Sequence, residues 1–263
     1  NFTTATTTYN VAIGYKTGES VSTGIRNTLI GGLAGDALTD ADYNVSVGMH
    51  SLGTDTLGSK STAIGTDSLA TQNFTTATDT FNTAVGYYAG AAVTTGVSNT
   101  LIGALAGDAL TDADHNVAVG RSALGLDTLG SKSVALGFGV LQTQNFTTAT
   151  DVYNVAVGYN SGASITTGFQ NTLIGGLAGD ALTDADYNVS IGVGSLTTDT
   201  LGSKSTAIGT FSLNSQNFTT ATDTFNTAVG YAAGGAVTTG LYNTLIGGLA
   251  GDALTDADEN VAV

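Results

Sequence analysis

The chain has 263 residues, 41% of them apolar, no cysteine, proline or tryptophan, and a formal charge of −15 from 21 acidic against 6 basic side chains. Without cysteine it has no disulfide, thiolate ligand or thiol nucleophile, and its acidity argues against electrostatic binding to nucleic acid or an anionic membrane surface. No apolar run approaches the roughly 20 residues that span a bilayer.

Apolar residues recur at fixed positions and the 37 glycines are evenly spaced, so the chain is neither disordered nor a flexible linker. The segment from Asn27 to Gly48 returns, almost word for word, from Asn99, Asn171 and Asn243, a step of 72 residues each time. A fixed period of this size marks a repeat architecture, in which each unit buries its apolar face against its neighbours. Residues 1–72, 73–144, 145–216 and the partial copy 217–263 are read as one repeat domain.

A five-residue phrase subdivides each copy: Asn or Ser, Thr or Val, a small residue or Leu, then Ile, Val or Leu, then Gly. It begins at Asn10, Asn27, Asn44, Ser61 and Asn82 and continues to Asn260, with intervals of 17, 17, 17 and 21 residues. Four coils therefore make one repeat. The fourth coil carries an insertion that begins, in its second copy, at Asn73.

Taken in order, the phrase residues alternate between the two faces of an extended strand. Ile13 and its equivalents, always Ile, Val or Leu, are expected to form the interior column, stacked in parallel at about 4.8 Å. The β-branched second position suits a strand, and the invariant Gly at the fifth position predicts a corner. Small residues two places or more beyond, as in Ser51-Leu52, Ala89-Gly90 and Ala123-Leu124, predict a second short strand. Asp36 to Asp42 and Thr54 to Ser59 read as turns. The helical spacing of Leu33, Ala34, Ala37, Leu38 and Ala41 is broken by glycine, which disfavours a helix there. Fifteen stacked coils would make a rod of roughly 70 Å. Residues 1 and 263 both fall inside a coil, and a segment of a longer molecule is expected.

The phrases Asn10 to Gly14, Ser61 to Gly65 and Asn154 to Gly158 resemble the repeats of trimeric autotransporter adhesin heads of the YadA type. The cadence from Asn82 to Gly90 is similar to the shafts of phage tail fibres. The resemblance implies an all-β, left-handed parallel β-roll or β-solenoid, a homotrimeric rod, an extracellular setting on a virion or a bacterial surface, and a task in attachment. The 21-residue coil departs from the adhesin pattern. A thin roll also has little interior, so another chain must cover part of its apolar surface, by isologous pairing or by the cyclic threefold packing that the resemblance implies. Ile25, Val97, Phe169 and Leu241, with the small third positions Ala12, Ala84 and Ala156, are expected at that contact.

Several side chains have a chemical reading beside an architectural one. Asp36, Asp40 and Asp42, with Asp108, Asp112 and Asp114, Asp180, Asp184 and Asp186, and Asp252, Asp256 and Asp258, would suit calcium, but their spacing matches no calcium loop and they read as turn formers. Lys60, Lys132 and Lys204 are expected to reach back to the acidic pair of the preceding coil, Asp42 or Asp40 for Lys60. The phrase-initial Asn residues predict an amide ladder. Tyr15, Tyr87, Tyr159 and Tyr231 could stack on sugars or on a partner chain. Phe2, Phe74, Phe146 and Phe218, with Tyr9, Phe81, Tyr153 and Phe225, are expected to pack the insertion onto the roll or an adjacent chain. Tyr43, His115, Tyr187 and Glu259 share one place in the repeat, as do Lys16, Tyr88, Asn160 and Ala232, and such variation predicts solvent. His50 and His115 occupy unrelated positions and form no repeated dyad.

No catalytic, cofactor or metal residue is assigned. The expected function is that of a non-enzymatic shaft of an extracellular trimeric fibre, most readily a phage tail fibre in host recognition. It would self-associate as a homotrimer and hold a receptor or glycan contact elsewhere, without nucleic acid or membrane insertion. A bacterial surface adhesin or a matrix or surface filament is the alternative. A carbohydrate-active enzyme or an ice-binding protein fits less well, because acidic motifs repeat in every copy and a threonine array does not.

Overall fold

The computed structural model describes residues 6–263, in two compact units: residues up to 131 with 147–149, and residues 132–146 with 150–263. Asn1 and Phe2 lie outside the described residues. In each unit every phrase is one short strand, and consecutive phrases pair in parallel. The first unit contains Val11–Ile13, Thr28–Ile30, Val45–Val47, Thr62–Ile64, Thr83–Val85, Thr100–Ile102 and Val117–Val119, each bonded to the next. The second contains Val134–Leu136, Val155–Val157, Thr172–Ile174, Val189–Ile191, Thr206–Ile208, Thr227–Val229, Thr244–Ile246 and Val261–Ala262 in the same manner. Like positions face one another, as Ala12 does Leu29 and Ile13 does Ile30. The described residues form parallel β-solenoid coils and no helix.

The far side of the coil differs from expectation. Ala89-Gly90 and its equivalents are turns held to the next coil by single bonds, such as Gly90 N to Ala106 O at 3.0 Å. Among the described residues a second strand exists only beside the insertion, where Gly58–Ser59 pairs with Thr78–Asp79 and Gly202–Ser203 with Thr222–Asp223.

The interior is also opposite to expectation. In the phrases from Asn27 to Asn243 the first and third positions point inward and are buried, while the second and fourth point outward and are half-buried or exposed. Leu29, Leu101, Leu173 and Leu245 are interior, and Ile30, Ile102, Ile174 and Ile246 are on the outside. Room decides this. The cross-section of a coil admits few large side chains, so glycine faces leucine: a Cβ on Gly35 would stand 2.9 Å from Leu29 Cδ2. Where the third position is small, as at Ala63 and Ala207, Leu69 and Leu213 fill the opposite side. The branched aliphatics do stack in register, as an outer stripe instead of a core. Ala84 and Ala156, fully buried in their own coils, are therefore unavailable to a second chain, whereas Ala12, in the first phrase, is exposed.

The glycine corner is present. Gly103 has φ +131, and a Cβ there would lie 2.6 Å from the carbonyl oxygen of Gly120 in the next coil. Both the dihedral and the close approach of stacked backbones exclude other residues.

Candidate functional surface

Inside each coil the phrase-initial asparagine joins its neighbours. Asn27 Oδ1 accepts the backbone N–H of Asn44 at 2.9 Å, and Asn27 Nδ2 donates to Ala41 O at 2.7 Å. Asn171 repeats both bonds, to Asn188 N at 2.9 Å and Ala185 O at 2.8 Å. The ladder thus runs mainly from side chain to backbone. It is buried, and it saturates polar groups that a narrow interior cannot hydrate.

A second buried network was not anticipated. Asp55 lies inside, its Oδ1 accepting the N–H groups of Gly58 at 3.0 Å and Phe74 at 3.1 Å, and its Oδ2 accepting Gln72 Nε2 at 2.5 Å. Gln72 in turn reaches Ser61 Oγ at 2.9 Å and accepts Asn82 Nδ2 at 2.9 Å. Asp199, Gln216, Ser205 and Asn226 reproduce the arrangement. Burial pushes the Asp55 carboxyl above its ordinary value of 3.8, against the lowering pull of these donors. The sequence did carry a signal. Asp55, Asp127 and Asp199 occupy the place taken by Val21 and Leu38 in the other coils, and an aspartate unchanged in every copy at a core position calls for a buried partner.

The acidic turns clip coils together. Asp40 accepts Thr23 Oγ1 at 2.5 Å, and Asp42 accepts the N–H of Ile25 at 2.8 Å; Asp184 and Asp186 do the same for Thr167 and Phe169. Asp180 accepts Thr197 Oγ1 at 2.6 Å, whereas Asp36, opposite Gly53, has a buried Oδ1 without a partner. Burial raises the Asp108 carboxyl, and burial followed by the charges of Asp184 and Asp223 raises that of Asp186. His50 Nδ1 lies 2.9 Å from Asp67 Oδ1, a pair found in one copy only.

The lysines do not reach back. Lys60, Lys132 and Lys204 turn forward to Asp79, Asp151 and Asp223, each at 2.5 Å, because the insertion places an aspartate directly above them. The hydrogen bonds that Lys132 Nζ donates to Asp151 and Tyr153 raise the pKa of its ammonium. Each lysine also covers an aromatic ring of the next coil: Phe81 at 5.2 Å, Tyr153 at 5.3 Å and Phe225 at 5.2 Å. Arg26 covers Tyr43 at 5.1 Å. The aromatic pair of the insertion is therefore split, with Phe74, Phe146 and Phe218 buried and Tyr9, Phe81, Tyr153 and Phe225 exposed.

On the outer surface these residues border a sheet of unusual composition. Every second and fourth phrase position is Thr, Val, Ile or Leu, and none is charged. One edge is the ridge that precedes each phrase, with Tyr9, Arg26 and Tyr43. The other follows the corner glycine, with the exposed Tyr15, Tyr87, Tyr159 and Tyr231. Ile25, Val97, Phe169 and Leu241 are half-buried beside the first ridge, and the variable residues Tyr43, His115, Tyr187 and Glu259 on that ridge are exposed as expected. Lys16, Tyr88, Asn160 and Ala232 are exposed or half-exposed.

Fold and surface define a parallel β-solenoid repeat protein. Comparison with protein-family models and with curated proteins finds no match. No helix of the described residues is long and apolar enough to cross a membrane.

Proposed function

We propose that this chain is part of the shaft of an extracellular trimeric fibre serving attachment, of the kind found in phage tail fibres, and that it works without catalysis. The uncharged outer face carries the reading. Parallel sheets are nearly always covered on both faces, and here the inner face is closed by the coil while the outer one offers an unbroken aliphatic strip. An exposed strip of this kind marks an association surface. Identical chains set around a threefold axis would cover it with three copies of itself, leaving the acidic turns outward. The aspartates then act as clips and solubilising groups.

Mass measurement under native conditions tests the proposal: a particle of three chains is expected, and a stable monomer at micromolar concentration would overturn it. Labelling with an antibody to the repeat would then place the fibre on virions; labelling of bacterial cell walls alone would favour a surface adhesin, and an extended polymer would favour a matrix filament.

A further inference from the structure

The two ridges bordering the outer face match each other coil by coil, although they cannot touch within one chain. Tyr43 and Met49 stand at opposite ends of one phrase, on the order of 15 Å apart along an extended strand. In the first unit Tyr9 is matched by Tyr15, Tyr43 by Met49 and Phe81 by Tyr87, all exposed and apolar. In the alternating coils Arg26 is matched by Gly32, Lys60 by Thr66 and Ser98 by Ala104, a polar residue opposite a small one. The second unit repeats this, with Tyr187 against Val193 and Lys204 against Thr210.

The third coil of each repeat is the most telling. The copies are nearly identical, yet Tyr43 with Met49 and Tyr187 with Val193 become His115 with Arg121, so that both ends change character together. Two coils break the rule, and each is satisfied in its own chain. Phe138, opposite Lys132, stacks on Tyr159 at 5.6 Å, and Tyr242, opposite Gly248, stacks on Phe225 at 5.3 Å.

We infer that the ridge preceding the phrase in one copy seats against the ridge following the phrase in a neighbouring copy at the same coil, so that the aromatic coils lock the axial register of the assembly. Aromatic meets large apolar at the seam, Lys60 and Lys204, already paired with Asp79 and Asp223, meet threonine, and Arg26, already seated over Tyr43, meets glycine. A twofold axis across the face would run the chains in opposite directions and oppose unlike coils, whereas a cyclic arrangement of parallel chains brings each ridge to its match. The inference rests on the proposed trimer and adds to it which edges meet and at what height.

The chain has no cysteine, so introduced thiols report the seam directly. Two cysteines can be bridged only when their Cα atoms lie within about 7 Å. The double variant Tyr43→Cys/Met49→Cys is expected to give covalent dimers and trimers on a denaturing gel after mild oxidation. The offset variant Tyr43→Cys/Tyr87→Cys, two coils out of step, is expected to give about tenfold less, since its thiols fall outside that range. Native mass is measured on both. Three chains with no matched cross-link, or with equal cross-linking from the offset pair, would overturn the seam and leave the trimer standing. Efficient cross-linking by Tyr43→Cys alone would indicate a twofold contact and also overturn it. A single chain by mass would instead remove the trimer beneath it.

Discussion

Asp55 and Gln72, neither with any exposed surface, meet at 2.5 Å between one coil and the next. The amide is the only side chain bonded to Asp55 Oδ2 among the contacts described. Gln72→Leu would leave the charge with its backbone donors alone, and is expected to cost about 3 kcal/mol or more of stability. Chemical denaturation measures it, and a change below about 1 kcal/mol would mean the carboxylate does not depend on its partner.

The same group has a pH signature. Burial raises its folded value above 3.8, so its contribution to stability is complete below that value and is lost as pH rises through the raised one. Relative to Asp55→Asn, the parent chain is expected to lose melting temperature across that window. A parent chain that gains on the variant as pH rises would contradict the direction.

Gly103→Val places a side chain at φ +131 with its Cβ 2.6 Å from the backbone of the next coil. A loss of about 3 kcal/mol or more is expected, combining dihedral strain with a clash that backbone cannot easily relieve. Thermal melting decides, and an unchanged curve would refute the corner.

Asn171→Ala would strip an acceptor from Asn188 N and a donor from Ala185 O, both inside the roll. Two orphaned buried groups are expected to cost about 2 to 4 kcal/mol. Hydrogen exchange at the Asn188 amide provides a local reading, with protection falling there first.

Adjacent residues test inside against outside. Leu101→Ala should lower stability by about 3 kcal/mol without altering the number of chains, since Leu101 is wholly buried. Ile102→Asp should instead alter the number of chains, because Ile102 is 38% exposed on the outer face. Reversed outcomes would exchange the two faces.

Periodicity made much of this legible from sequence: the coil lengths, the parallel pairing, the glycine corner and the asparagine ladder all follow from where residues repeat. The facing of the strand did not. Ile30 and Leu29 are equally apolar, and hydrophobicity alone favours the branched column as a core. The answer lay in the complementarity of Leu29 with Gly35 and of Ala63 with Leu69, six residues apart. In the coil where both places are small, as at Ala84 and Gly90, Leu69 and Leu101 of the adjoining coils fill the space. Asp55 was obscured because aspartate among glycine and threonine looks like a turn. The direction of Lys60 is hidden because Asp79 lies in the insertion, which breaks the 17-residue period yet still stacks on the coil before it.

Most coils hold non-glycine residues in the left-handed region at two or more corners, among them Lys60 at φ 63 and Asp67 at φ 54. Each such residue is uphill by roughly 1 kcal/mol when isolated, and the adjoining coil supplies the bonds that offset it. A synthetic peptide spanning 17 residues would therefore be a random chain, and a nascent polypeptide would gain nothing from its first turn. Structure would wait for several turns to emerge together, so that folding would lag synthesis by a few coils.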